Sequence, residues 1–126
     1  MSLITREEIL TFVDETPGTV YDKPFEDDFN TTVLRHYSTK KWFGILLKAP
    51  ASKVGADGDG EVDVINLKCD PALSFGLKQE YKGIVPAYHM NKYHWISVVL
   101  DSDVPFSVLS ELLKLSYELT LSKKVK

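Results

Sequence analysis

The residues best suited to chemistry gather in one stretch, residues 86–98, Pro-Ala-Tyr-His-Met-Asn-Lys-Tyr-His-Trp-Ile-Ser-Val. It holds two of the three histidines, one of the two tryptophans and two of the six tyrosines. His89, Asn91, Lys92 and His94 can donate hydrogen bonds, and Tyr88 and Tyr93 can stack. Such a set suits contact with phosphates or bases better than bond-breaking. The same residues would also serve a plain anchored hairpin, with Asn91 and the histidines satisfying the turn. Met90 to Tyr93 reads as that turn, with Asn91 available for a left-handed residue.

No residue nominates itself for catalysis. Cys69 precedes a helix start, where a thiolate could be favoured, and His89 or His94 could pair with it. No nucleophile motif surrounds it, however, and a small buried thiol is the simpler reading. Cys69, His36, His89 and His94 lack the paired short spacings of a zinc site. Residues 57–68 begin like a calcium loop. Val62 stands where such a loop needs glycine, and Lys68 where it needs glutamate. An acidic hairpin loop fits better. Phosphate-loop, dinucleotide, G-x-S-x-G and kinase patterns are absent. No cofactor and no metal are implied.

The elements that would position these residues belong to one domain. The chain has 126 residues, 44% hydrophobic and 26% charged, as in ordinary soluble proteins. No apolar run approaches the ~18 residues of a membrane span. The amino terminus lacks the basic and then apolar order of a signal peptide. The single cysteine cannot form an internal disulfide. A cytoplasmic location is the default expectation. The net charge of −3 is uneven: residues 1–30 hold eight acids against two bases, and the remainder holds thirteen bases against ten acids. Strong binding to a phosphate backbone usually goes with a more basic chain. The acidic first part could hold a hard cation weakly, although a solvated face is the commoner outcome.

Thr5 to Glu8 is a capping box with Ile4 and Ile9 at staple positions, and predicts a helix over 6–14. Residues 15–30 read as a polar connection pinned to the core by Phe25 and Phe29. Strands are expected over 31–37 and 42–48, with a turn at Ser38 to Lys41. A hairpin loop at 50–60 leads to a strand over 61–68, with Asn66 on its polar side. Two more strands follow, over 84–88 and 94–100. His94 and Trp95 then face opposite sides of the sheet, with Trp95 the core residue. Asp70-Pro71 starts a helix that runs to about Glu80. Leu73, Leu77 and Tyr81 mark its buried stripe, and Gly76 implies close packing. A last helix over 107–120 buries Leu109, Leu112, Leu113 and Ser116. Lys123, Lys124 and Lys126 form a basic tail. The order α-β-β-β-α-β-β-α, with hairpin connections, gives an α+β two-layer sandwich: a five-stranded antiparallel sheet with helices on one face.

Leu67 to Pro71 before a helix, Tyr88 to Lys92, His94-Trp95, and Ser116-Tyr117 in the last helix together resemble the MmcQ/YjbR family. Order and spacing agree over nearly the whole chain. The resemblance implies a CyaY-like (frataxin-like) sandwich, in agreement with the element order. It also implies DNA binding through a "double wing" of hairpin loops. The family's characteristic turn falls on His89, Asn91, Lys92, His94 and Trp95. Its helix start falls on Lys68 and Pro71, and its last-helix pair on Ser116 and Tyr117. Tyr93 stands where relatives often carry a further base, which removes a charge from the turn. The 50–60 loop is acidic at Asp57 and Asp59, with Lys53 as the opposing charge.

The expectation is a small DNA-binding protein without catalytic activity. It would use the 88–95 turn, supported by Lys40, Lys41 and Lys68, and position phosphates rather than read bases. One rival is a protein-interaction or chaperone-like module that uses an exposed sheet edge or face. Another, from the frataxin-like resemblance, is weak metal binding by the acidic N-terminal region.

Overall fold

The computed structural model describes residues 4–121; the basic tail at Lys123, Lys124 and Lys126 lies outside them. Helix α1 (Arg6–Asp14) opens with its capping box formed. Thr5 Oγ1 accepts from Glu8 N at 3.2 Å, and Glu8 Oε1 accepts from Thr5 N at 3.0 Å. Both staple residues, Ile4 and Ile9, are buried in the main core.

Where a connection was expected, the chain forms a short strand, β1 (Thr19–Asp22). Gly18, at φ +86°, turns the chain out of the helix, and Thr19 Oγ1 donates to Val13 O at 2.7 Å. β1 pairs antiparallel with β2 (Thr32–His36). There follow β3 (Trp42–Pro50), a 3-10 turn (Ala51–Lys53) and β4 (Glu61–Lys68). Then come α2 (Pro71–Glu80), β5 (Ile84–Pro86), β6 (Trp95–Val99) and α3 (Phe106–Leu119). The sheet is open and antiparallel, and has six strands rather than five, in the order β1-β2-β3-β4-β6-β5.

Helices α1 and α3 cover one face. Ile9, Val13, Leu109, Leu112 and Leu113 pack there with Leu34, Leu46, Ile65, Leu67, Ile96 and Val98. Each such side chain, fully buried, contributes roughly 1.5–3 kcal/mol. α2 departs from its expected stripe. Only Ser74 is buried, Leu73 and Phe75 are exposed, and the space around Gly76 is open. The helix sits at the margin of the sheet, so only Leu77 and Tyr81 reach the core.

The opposite face, here called the outer face, is partly covered by chain without regular structure. Ala49, Val54, Val64 and Val99 form a second, smaller core there, with Tyr88 packed against it. The 51–60 loop and the 87–94 connection thus lie on the outer face from two sides. Phe25 and Phe29 do not pin the first connection to the core. Phe25 meets the edge of Trp42 at 6.2 Å, and Phe29 is 75% exposed.

Candidate nucleic-acid interface

The 87–94 connection owes its position to two buried polar residues in the sheet beneath it. Asn66 on β4 and Ser97 on β6 are cross-strand partners, and both are almost fully buried. Tyr88 N donates to Ser97 Oγ at 2.8 Å, and the Ser97 hydroxyl donates to Asn66 Oδ1. Asn66 Nδ2 then donates to Tyr88 O at 2.8 Å, closing the circuit. Asn66 was expected on a solvated strand face and Ser97 was not singled out. The signal available was the adjacent apolar pair Val64-Ile65, which means that both faces of β4 are buried.

Past this anchor the chain turns sharply. His89 is left-handed, at φ +64°, in place of the expected Asn91. A left-handed histidine is strained and persists only where its surroundings hold it. Its ring lies 3.9 Å from that of Tyr88. Asn91 Oδ1 accepts from both Tyr93 N and His94 N at 2.9 Å, so this oxygen shapes the turn. The result is a shallow groove lined by Lys53, His89, Met90, Asn91 and Lys92. Lys53 enters from the other loop.

The remaining expected site residues collect at the end of the sheet where β3 and β6 begin and β4 ends. Lys68, the last residue of β4, pairs across to Trp95, the first of β6. Trp95 is half-buried on the outer face and belongs to neither core; the buried residue beside it is Ile96. Lys40 and Lys41 lie in the β2–β3 turn. Lys40 folds back on that turn, with Nζ 2.8 Å from Tyr37 O and 4.5 Å from the centre of its ring. Lys41, Lys92 and His94 are exposed.

Pro71, Ser116 and Tyr117 hold elements of the fold together. Pro71 is the first residue of α2, behind the cap of Asp70. Ser116 Oγ accepts from Lys68 N at 2.9 Å and donates to Phe43 O at 2.5 Å, which ties α3 to two strands at once. Tyr117 donates to Gly18 O at 3.2 Å and stacks on His36 at 4.1 Å.

Cys69 is buried, and burial, followed by the charge of Asp70, pushes its thiol pKa up rather than down. The expected pull of the helix start does not prevail. His36 lies under the helices, whereas His89 and His94 are exposed, and Cys69 is buried. Among the described residues, no three His, Cys, Asp or Glu side chains come together as a metal site. No helix in the described part is long and apolar enough to cross a membrane.

These features define a small α+β sandwich whose outer sheet face is partly covered by two loops. The chain belongs to the YjbR family, whose model matches residues 14–119. It is 43% identical over 118 residues to the uncharacterized protein YyaQ of Bacillus subtilis, covering 94% of this chain and 99% of that protein. A shorter stretch of 54 residues is 37% identical to the uncharacterized protein YjbR of Escherichia coli, covering 43% of this chain and 46% of that one. The crystal structure of a Pseudomonas syringae protein superposes with a TM-score of 0.87 at 37% identity, over 94% of this chain and 100% of that chain. A Deinococcus radiodurans crystal structure gives 0.71 at 31% identity, over 93% and 78%.

Proposed function

We propose that this protein binds DNA through the outer face of its sheet, with phosphates held in the groove between Lys53, His89 and Lys92. The observation that carries the reading is the buried circuit of Asn66 and Ser97. Polar groups at the centre of a sheet are costly unless they are paired. These two pair with each other and with the backbone of Tyr88. The fold therefore maintains the shape of one connection, which carries a strained histidine and a lysine and faces a second lysine. The charge distribution supports the same reading. Glu7, Glu8 and Asp14 lie on α1, on the far side of the sheet from the groove. Asp57 and Asp59 lie in the same 51–60 loop as Lys53 and offset its charge.

Anisotropy of labelled duplex DNA at several salt concentrations tests the reading. Each phosphate contact contributes about −0.9 to the slope of log K against log salt. Replacing Lys53 and Lys92 together by alanine should weaken binding and flatten that slope by about two contacts. An unchanged slope removes the groove from consideration, and no binding at low salt ends the DNA reading.

A second reading has its own observation. α2 leaves Phe75 65% exposed, an aromatic ring of the kind that anchors a protein partner. Loss of a specific co-purifying protein in Phe75→Glu, with DNA binding unchanged, would favour it.

A further inference from the structure

We infer that the preferred ligand is an unpaired DNA strand, with bases stacked on Trp42 and Trp95 and a phosphate between them at Lys68. This rests on the outer-face reading above but on different residues.

The register places the row. Leu34, Leu67 and Ile96 face the helices, so their neighbours Arg35, Lys68 and Trp95 face the other way. Trp42 is the cross-strand partner of Arg35 and shares its face. All four stand at one end of the sheet. β4 lies between β3 and β6, so Lys68 lies between the two tryptophans. Two strand spacings put the backbones of Trp42 and Trp95 about 10 Å apart. Successive bases in a duplex are about 3.4 Å apart along each strand, and their edges are paired. They cannot occupy both rings. The splayed bases of an unpaired strand can, as on other sheet faces that bind single strands.

The row also has the chemistry of a single-strand platform, in which aromatic rings alternate with free cations. Lys68 makes no ion pair among the described residues. Arg35 is different: its Nε is bound to Asp22 at 2.9 Å, and its guanidinium lies 5.6 Å from the centre of the Trp42 ring. Arg35 therefore holds that ring, and Phe25 meets its edge. A ring fixed in advance loses little freedom on binding. Neither tryptophan contributes to either core cluster. Tyr37 and Tyr93, 63% and 68% exposed, stand in the two turns beside the row.

The chain has two tryptophans, both in this row, so its intrinsic tryptophan fluorescence reports on the platform alone. The full chain would be titrated at low salt with a labelled oligothymidylate and with a duplex of equal length, following emission and anisotropy together. The single strand should bind about tenfold more tightly and quench the emission. Trp42→Phe and Trp95→Phe should each retain part of the quench. Lys68→Gln should flatten the single-strand salt slope by about 0.7. Tighter or equal binding of the duplex overturns the inference, as does single-strand binding with unchanged emission. Both results leave the Lys53 and Lys92 groove standing. Failure of both DNAs to bind overturns the groove as well.

Discussion

The carboxamide of Asn66 donates to the main-chain oxygen of Tyr88 at 2.8 Å, so the centre of β4 holds a residue of the connection that crosses it. Ser97 takes the amide of the same tyrosine. Both backbone groups of Tyr88 are therefore satisfied by side chains, and those two side chains are almost fully buried. Such a network is rigid when complete and costly when broken.

Asn66→Ala should leave Tyr88 O without its side-chain donor and the Ser97 hydroxyl proton without its acceptor, at a cost of about 1–3 kcal/mol. Ser97→Ala should cost a similar amount, and the double variant less than the two losses together. Urea denaturation of the three variants gives the numbers. Strict additivity would mean that the three groups do not act as one unit. In Asn66→Ala the DNA affinity should also fall, because His89 and Lys92 lose their support.

Ser116→Ala removes one acceptor for Lys68 N and one donor to Phe43 O, both at the junction of α3 with the sheet. The expected loss is about 1–3 kcal/mol. Hydrogen exchange should speed up at Lys68 N and leave the capped start of α1 unchanged. Equal acceleration at both would point to global unfolding instead of a local joint.

What was legible in the sequence was local. The capping box of α1 and the three- and four-residue spacings of Leu109, Leu112, Leu113 and Ser116 act within a turn or two of helix, and both helices form where expected. What was not legible depends on partners distant in the chain. The four residues of β1 are a strand because β2 lies beside them. Asn66 looks like a solvated strand residue until a segment 22 positions on folds over it. Leu73 fits a helical stripe, but the margin of the sheet offers α2 too narrow a surface. Trp95 was recognised as a strand residue, and its face was decided by Ile96, which takes the place in the core. The lysines of the candidate site were visible one by one. That Lys53 and Lys92 line one groove on the outer face was not.

Cys69 should react slowly. Its sulfur is buried, and burial together with Asp70 raises its pKa above the ordinary thiol value. Alkylation of the native protein at neutral pH should run at least about tenfold slower than in denaturant, because the thiolate is the reacting form. A native rate equal to the denatured rate would show that the thiol opens freely to solvent.

His36 should make stability depend on pH. Its ring is buried between Phe43, at 5.6 Å, and Tyr117, with Nε2 2.7 Å from Thr120 Oγ1. The Thr120 hydroxyl donates to Ser116 O at 2.8 Å. Its oxygen is thus left to accept, and Nε2 carries the proton of a neutral imidazole. Burial first, and then the charge of Lys41, hold the pKa below the ordinary 6.5. As pH falls below 6.5, the unfolded chain takes up a proton that the folded chain refuses. Stability should therefore fall with pH from that point, by up to about 1.4 kcal/mol per unit, and level off once the folded histidine titrates. Above 6.5, this group contributes no slope. The carboxylates of Asp28 and Asp103 have lowered pKa values, so their contribution is lost only as pH falls below about 3.8. The two windows are separate. Urea midpoints between about pH 8 and pH 5 should show the histidine step in the native sequence. In His36→Gln, which can still donate to Thr120 but does not titrate, the step should vanish. A step that survives the substitution would belong to another group.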